Sequence, residues 1–334
     1  MDPITPLLLA YTLARAARAR LASPEMAVFL LASLAPSLDW LWRLPAPLSP
    51  LRAGGTVTQS LLGASVLAAA IAAGVWLVAK RLQRAVTLPR LLAAALVAAG
   101  ARLLLDLSTS TGIELYWPFR PSRVSWNLVN GYDVVLLALL AVFAMVPALI
   151  GLVTEEIGAA RDSRPSRAWP FVALALVLLY FGARASLHQD AETLLGRADY
   201  RGAAPRRWAA YPDGSNPFSW RGVVETDSFL AEMDVPVGPG AEFSAESAQL
   251  HYKPQPSPQE QAAARASLAL AYTALARFPV LTLTSLADGY RAELREIGDS
   301  PLRSRHGVWV AVIDLGPELK VLHQQLLYSA ARTP

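Results

Sequence analysis

The chain has 334 residues, 54% of them hydrophobic and only 17% charged, with a positive mean hydropathy of +0.33. Soluble domains carry about 25% charged residues; this composition excludes a disordered chain, and the lack of any cysteine excludes disulfides, thiolate metal sites and cysteine nucleophiles. The formal net charge of +4 sits in short arginine-bearing loops and not on a basic helix with interleaved aromatics, so no nucleic-acid partner is expected.

The apolar excess lies almost wholly in residues 1–187. The opening Met1-Asp2-Pro3-Ile4-Thr5 has neither a basic start nor a small-residue cleavage site, so the first apolar stretch is expected to stay in the protein. Six runs follow in chain order: Pro6–Ala22, Met26–Trp42 (interrupted by Pro36), Gln59–Ala79, Leu91–Leu107, Tyr132–Val153 and Phe171–Leu187. Each approaches the roughly 20 residues that cross about 30 Å of hydrocarbon, so they predict six membrane helices.

Basic residues set the orientation. After runs one, three and five stand Arg15, Arg18, Arg20, Lys80, Arg81, Arg84, Arg90, Arg161, Arg164 and Arg167, ten in all; after runs two and four stand Arg43, Arg52, Arg120 and Arg123, four in all. The side with ten is predicted to be cytoplasmic, which leaves the N-terminus, the loops near 43–58 and 111–131 and everything beyond Leu187 outside. Trp40, Trp42, Tyr116 and Trp117 fall where interfacial anchors are expected.

Beyond the sixth run the chain turns polar, with Pro205, Pro212, Gly214, Asn216 and Pro217. Gly222–Thr226, Val280–Thr284, Tyr290–Glu296 and Val308–Leu315 read as strands bounded by Gly, Pro and Asp. Ser257–Arg277 reads as one helix, with Ser257 as N-cap and Pro258 at its first position. The expected fold is mainly α: a polytopic membrane bundle of about six helices over residues 1–188, then a small extramembrane α+β domain over 189–334.

Polar residues inside apolar helices need a reason, and here they gather towards one face. Asp39 ends run two, Thr58, Gln59 and Ser60 open run three, and Asp2 and Thr5 open the chain. Arg102 and Asp106 stand four apart, hence on one helical face, followed by Ser108, Thr109, Ser110 and Thr111. Arg102 with Asp106 is either an ion pair that packs the bundle or part of a ligand site, and Asp39 is either a headgroup-facing helix end or a site residue. The four histidines, His188, His251, His306 and His323, all follow run six and read as surface or satisfied core residues, with His188 near enough in sequence to reach the site.

At these positions the chain resembles the membrane-bound metal-dependent hydrolases of bacterial inner membranes, a YdjM-like family. Met1-Asp2-Pro3-Ile4-Thr5 is similar to the family's opening, in which His follows Thr; Ala35-Pro36-Ser37-Leu38-Asp39 resembles its Pro-Asp-x-Asp segment. Thr58-Gln59-Ser60-Leu61-Leu62 resembles Thr-His-Ser-Leu-Leu, and Arg102-Leu103-Leu104-Leu105-Asp106 resembles His-x-x-x-Asp, followed by Thr109-Ser110-Thr111-Gly112 and Trp117-Pro118-Phe119. Asn216–Thr226 is similar to the family's extramembrane part. The resemblance implies a bacterial inner-membrane, multi-pass protein with its C-terminal domain outside and a hydrolytic metal centre. It assigns Asp39, Asp106, Arg102 and Gln59 to the catalytic positions and Thr5, Thr58, Ser60, Thr109 and Ser110 to the surrounding binding positions.

The metal-ligand pattern departs from that family. Its His positions carry Pro6, Gln59 and Arg102, and one acidic position carries Ser37, leaving Asp39 and Asp106 of the implied ligands. A catalytic zinc takes about three protein ligands, usually imidazole and carboxylate; Pro offers no donor and Arg brings a fixed positive charge. No cofactor is therefore expected, with a divalent metal (magnesium, calcium or zinc) held by Asp39 and Asp106 as the alternative. Three functions stay open: a non-catalytic relative with a polar pocket at the outer face and membrane lipids or a membrane protein as partner; an active hydrolase of phosphate- or acyl-linked lipids; and a structural subunit of a membrane complex.

Overall fold

A computed structural model describes residues 2–20, 23–38, 57–120, 122–156, 168–214, 216–304 and 307–330. The chain divides into two compact units, the second beginning at Ser186. The first carries helices α1 (Ile4–Ala16), α2 (Pro24–Leu34, extended by a 3-10 turn Ala35–Leu38), α3 (Leu61–Arg81), α4 (Leu88–Ser108), α5 (Val134–Glu156) and the first part of α6 (Trp169–Arg197).

Local chemistry starts these helices where they start. Ser23 caps α2, its Oγ accepting from the Met26 N–H at 3.2 Å with Pro24 at the first position. Ser60 caps α3 by accepting from the Gly63 N–H at 3.0 Å, and Asp133 caps α5 by accepting from the Leu136 N–H at 2.9 Å. Gly63 is required there, because a Cβ would stand 1.8 Å from the Val57 carbonyl oxygen.

Small residues bring the helices together. Ala64, Ala68 and Ala72 of α3 pack with Leu91, Ala95 and Ala98 of α4 and with Val28, Phe29 and Ala32 of α2. Alanine stripes of this kind allow the close backbone approach that substitutes for hydrophobic drive in lipid. Leu9, Leu105, Leu136, Leu140 and Val177 tie α1, α4, α5 and α6 into an adjoining cluster. The central helix is α4: 56% of its apolar window is buried, against 17% for α3 and α6.

Six helices stand at the six apolar runs, but the count of membrane-crossing helices is corrected. Among the described residues three, α3, α4 and α6, are long and apolar enough to span; Ile4–Ala16 and Pro24–Ser37 are apolar but shorter. The 13 residues of α1 reach only about 20 Å. Its helix stops ahead of Arg18, which adopts a left-handed φ of 63°.

The second unit is built largely of strands, so the fold is mixed α and β and not mainly α. Strands β1 (Arg207–Pro212), β2 (Ser219–Glu225), β3 (Phe229–Pro236) and β4 (Gln249–Tyr252) form an antiparallel meander in sequence order. The C-terminal part of α6 lies on it, with Ala191 and Leu195 against Trp220, Val224 and Val235. Gly222 permits that approach, since a Cβ would come within 2.6 Å of Leu195.

A second antiparallel sheet holds β5 (Pro279–Leu286), β6 (Gly289–Glu296), β8 (Gly307–Leu315) and β9 (Val321–Ala330), with the two-residue β7 (Arg303–Ser304) paired to the start of β8. Four of these nine strands, β2, β5, β6 and β8, match sequence expectations. The expected single helix Ser257–Arg277 is two, α7 (Pro258–Ala264) and α8 (Ser267–Leu275), because Ala266 is extended (ψ 143°) between them. The break lets Ala263, Ala269 and Tyr272 all face Ala292, Ala311 and Ile313 of the sheet. The expected cap is present, with Ser257 Oγ accepting from the Glu260 N–H at 3.1 Å.

Candidate functional site

The starts of α1, α3 and α5 and the end of α4 meet around the segment 109–131. This segment is held by its backbone: Leu128 and Val129 N–H both donate to the Ser108 carbonyl (2.8 and 3.0 Å), Trp126 N–H donates to Leu107, and Ile113 and Val124 exchange bonds at 3.0 and 2.9 Å. Three further bonds draw other elements to it. Asp2 N–H donates to the Gly131 carbonyl (2.8 Å), Leu61 N–H to Leu115 (3.0 Å), and Arg184 Nε to Leu128 (2.8 Å). The sequence-nominated residues that the structure describes therefore collect at one end of the bundle.

At the centre of that end Arg102 Nε donates to Asp106 Oδ2 at 2.8 Å, and both residues are 2% exposed. The i,i+4 spacing places them together on α4, the most buried of the three span-length helices. Thr109 Oγ1 donates to the Asp106 carbonyl (2.6 Å) and lies 3.2 Å from Thr111 Oγ1, closing the helix end with hydroxyls; Ser110 is buried beside them in sequence. The buried Arg102 Nη1 has no hydrogen-bond partner among the described residues.

Other nominated residues serve the helix starts. The Asp2 carboxylate accepts from the N–H groups of Ile4 (2.9 Å) and Thr5 (2.8 Å) and from Thr5 Oγ1 (2.8 Å), so Asp2 and Thr5 satisfy the orphan donors of α1. Ser60 caps α3 and also donates to the Val57 carbonyl at 2.7 Å. Thr58 and Gln59 form the 3-10 turn Val57–Gln59 ahead of it and are half-buried. At the position where the resemblance implies a histidine, the Pro6 carbonyl accepts from Ser33 Oγ at 2.9 Å and joins α1 to α2. Asp39, Trp40 and Trp42 lie outside the described residues.

Sequence reasoning missed three members of this end. Asp133 caps α5 with Oδ1 and accepts from Tyr180 OH through Oδ2 at 2.7 Å, while Arg184, 1% exposed, holds the 109–131 segment from α6. Both had a signal: Asp133 is the second residue of an apolar run, at a helix start, and Arg184 is a charge inside another. Glu114, 7% exposed, faces Arg123 Nη2 at 3.6 Å. His188 is engaged in the second unit, with Nε2 3.2 Å from the Ala210 carbonyl and 3.4 Å from Glu192 Oε1.

Of the two carboxylates that the resemblance implies as ligands, Asp106 is described and Asp39 lies outside the described residues. Among the described residues no three His, Asp or Glu side chains gather. A divalent ion on Asp106 would stand about 4 Å from the Arg102 guanidinium, a repulsion of several kcal/mol at an effective dielectric of about 20.

Comparison with known families gives one result: the model of the YdjM inner membrane protein matches residues 1–191. No curated protein and no solved structure matches the chain. The matched region covers more than half of the 334 residues and takes in α3, α4 and most of α6, and the chain belongs to the YdjM inner membrane protein family.

Proposed function

We propose that this is a multi-pass inner-membrane protein without hydrolytic activity, in which a guanidinium stands where the resemblance implies a cation, and whose partners are membrane lipids. The observation that carries the reading is the Arg102–Asp106 pair: 2.8 Å apart, both side chains nearly inaccessible, on the most buried of the three span-length helices. A paired carboxylate has its charge already balanced and gains little from a metal ion. The polar end then acts as a structural plug that keeps helix termini satisfied at the edge of the hydrocarbon. The excess of basic residues after the first, third and fifth apolar runs supports a cytoplasmic side opposite this end, with the strand-rich unit outside.

Elemental analysis of purified full-length protein tests the reading. The expected result is far less than one equivalent of zinc, manganese or iron, alike in wild type and Asp106→Ala. Stoichiometric metal that disappears in Asp106→Ala overturns it, because Asp106 would then be a ligand.

A further inference from the structure

A groove of about 1140 Å³ lies between α2 and the C-terminal half of α3. Its walls are apolar: Leu30, Leu31 and Leu34 on one side, Ile71, Val75 and Val78 on the other. Protein sites for small molecules run to about 300–1,000 Å³, so this one has room for a long hydrocarbon chain. The 11 residues of α2 give it a length of about 16 Å, close to the roughly 15 Å depth of a single leaflet.

The two ends of the groove differ in charge. Among the described residues its inner end, near Leu34, Ala35 and Leu67, carries none, while the other end is closed by Arg84 just past the last turn of α3, where Lys80 and Arg81 also stand. Lys80 is folded over the Trp76 ring at 5.2 Å, and the one acid of the first turn of α2, Glu25, is matched by Arg90 at 3.6 Å. Among the described residues this rim therefore carries Lys80, Arg81, Arg84 and Arg90 against Glu25 and is net positive. A hydrocarbon slot one leaflet deep with a cationic mouth complements an acyl chain attached to an anionic headgroup. Gly74 lines the slot, and a Cβ added there meets nothing within 4 Å, so the space beside α3 is open.

The geometry points to this groove as a binding site for one anionic glycerophospholipid, its acyl chain lying between α2 and α3 and its phosphate at the Arg84 mouth. Which leaflet supplies the lipid rests on the orientation proposed above; binding itself does not, so the two can fail separately.

The test is native mass spectrometry of the full chain in mild detergent with an equimolar mixture of phosphatidylglycerol and phosphatidylethanolamine. Wild type should retain one phosphatidylglycerol in preference. Gly74→Trp, which fills open space, and Leu31→Trp on the opposite wall should each weaken retention by about tenfold or more. Arg84→Gln should keep a lipid but lose the preference for the anionic headgroup. Gly182→Trp, which adds the same bulk where a Cβ on α6 also meets nothing within 4 Å, should behave as wild type. Equal retention in wild type, Gly74→Trp and Leu31→Trp overturns the proposal, as does equal loss in Gly182→Trp. So does a lipid-free dimer that either groove variant dissociates, which would make a second copy the occupant.

Discussion

Arg102 and Asp106 sit where neither could stand alone. Each is 2% exposed, and the desolvation of a lone charge at such a position costs several kcal/mol. Together they form one charge-assisted bond at 2.8 Å across a single helical turn. Removing one partner strands the other: Arg102→Met or Asp106→Leu should each destabilise the helical unit by about 3–5 kcal/mol, whereas the double variant should recover most of that loss. Denaturation in mixed micelles, followed by helical circular dichroism as a double-mutant cycle, checks this; additive losses would mean that the two groups do not act as a pair. Spacing within one helix made this contact legible in the sequence. The Asp133–Tyr180 and Arg184–Leu128 contacts were not, because each joins residues 47 and 56 positions apart and no local period encodes them.

In the second unit the two sheets share both an apolar seam and an ionic one. Tyr211, Val223 and Leu230 of the first meet Phe278, Val280 and Ile297 of the second. Beside them Glu232 on β3 accepts from Arg221 and from Arg303, both at 3.0 Å, and Arg221 also reaches Asp299. His251 on β4 faces this cluster with Nε2 3.9 Å from Glu232 Oε2 and without a hydrogen-bond partner for that atom among the described residues. Burial pushes the His251 pKa below its ordinary value; Glu232 opposes that shift, and Arg295 on β6 and Arg303 on β7 add to it. A folded-state value below the unfolded one means that the unfolded chain binds more protons in the interval between them. This contribution is thus fully present above about pH 6.5 and is lost as pH falls from there towards the folded value. Thermal unfolding read by tryptophan fluorescence should show a melting temperature that declines below about pH 6.5, and His251→Leu should flatten that part of the decline; an unchanged slope in the variant would remove His251 from the account. Of these sheets, β2, β5, β6 and β8 were legible through β-branched and aromatic residues bounded by Gly and Pro. β9 was not, since Val321–Ala330 is exposed along nearly its whole length and shows no alternation. The break between α7 and α8 escaped because it serves the sheet beneath, not helix propensity.

At the scale of the chain, apolar runs located every helix of the first unit, and among the described residues three of these helices are long and apolar enough to cross. Hydropathy alone does not distinguish a spanning helix from a short apolar one packed against its neighbours. Here α1 and α2 stop early, at the arginines after Ala16 and at the 3-10 turn containing Pro36. The direction of the chain through the membrane is a separate question, on which the charge pattern makes a prediction. If the basic loops after α1, α3 and α5 are cytoplasmic, the 84–87 connection lies inside, while the 109–131 segment and the strand-rich unit lie outside. The cysteine-free sequence makes this directly measurable, since a single introduced thiol is the only one present. Ala85→Cys, Ser122→Cys and Gln255→Cys each fall at exposed, irregular backbone. In intact cells a membrane-impermeant maleimide, given passage only to the periplasm, should label Ser122→Cys and Gln255→Cys and leave Ala85→Cys unmodified until the inner membrane is opened. Labelling of Ala85→Cys alone would invert the orientation. Protection of Gln255→Cys together with Ala85→Cys would put the second unit in the cytoplasm, and α5 and α6 would then make one crossing between them where the charge pattern requires two.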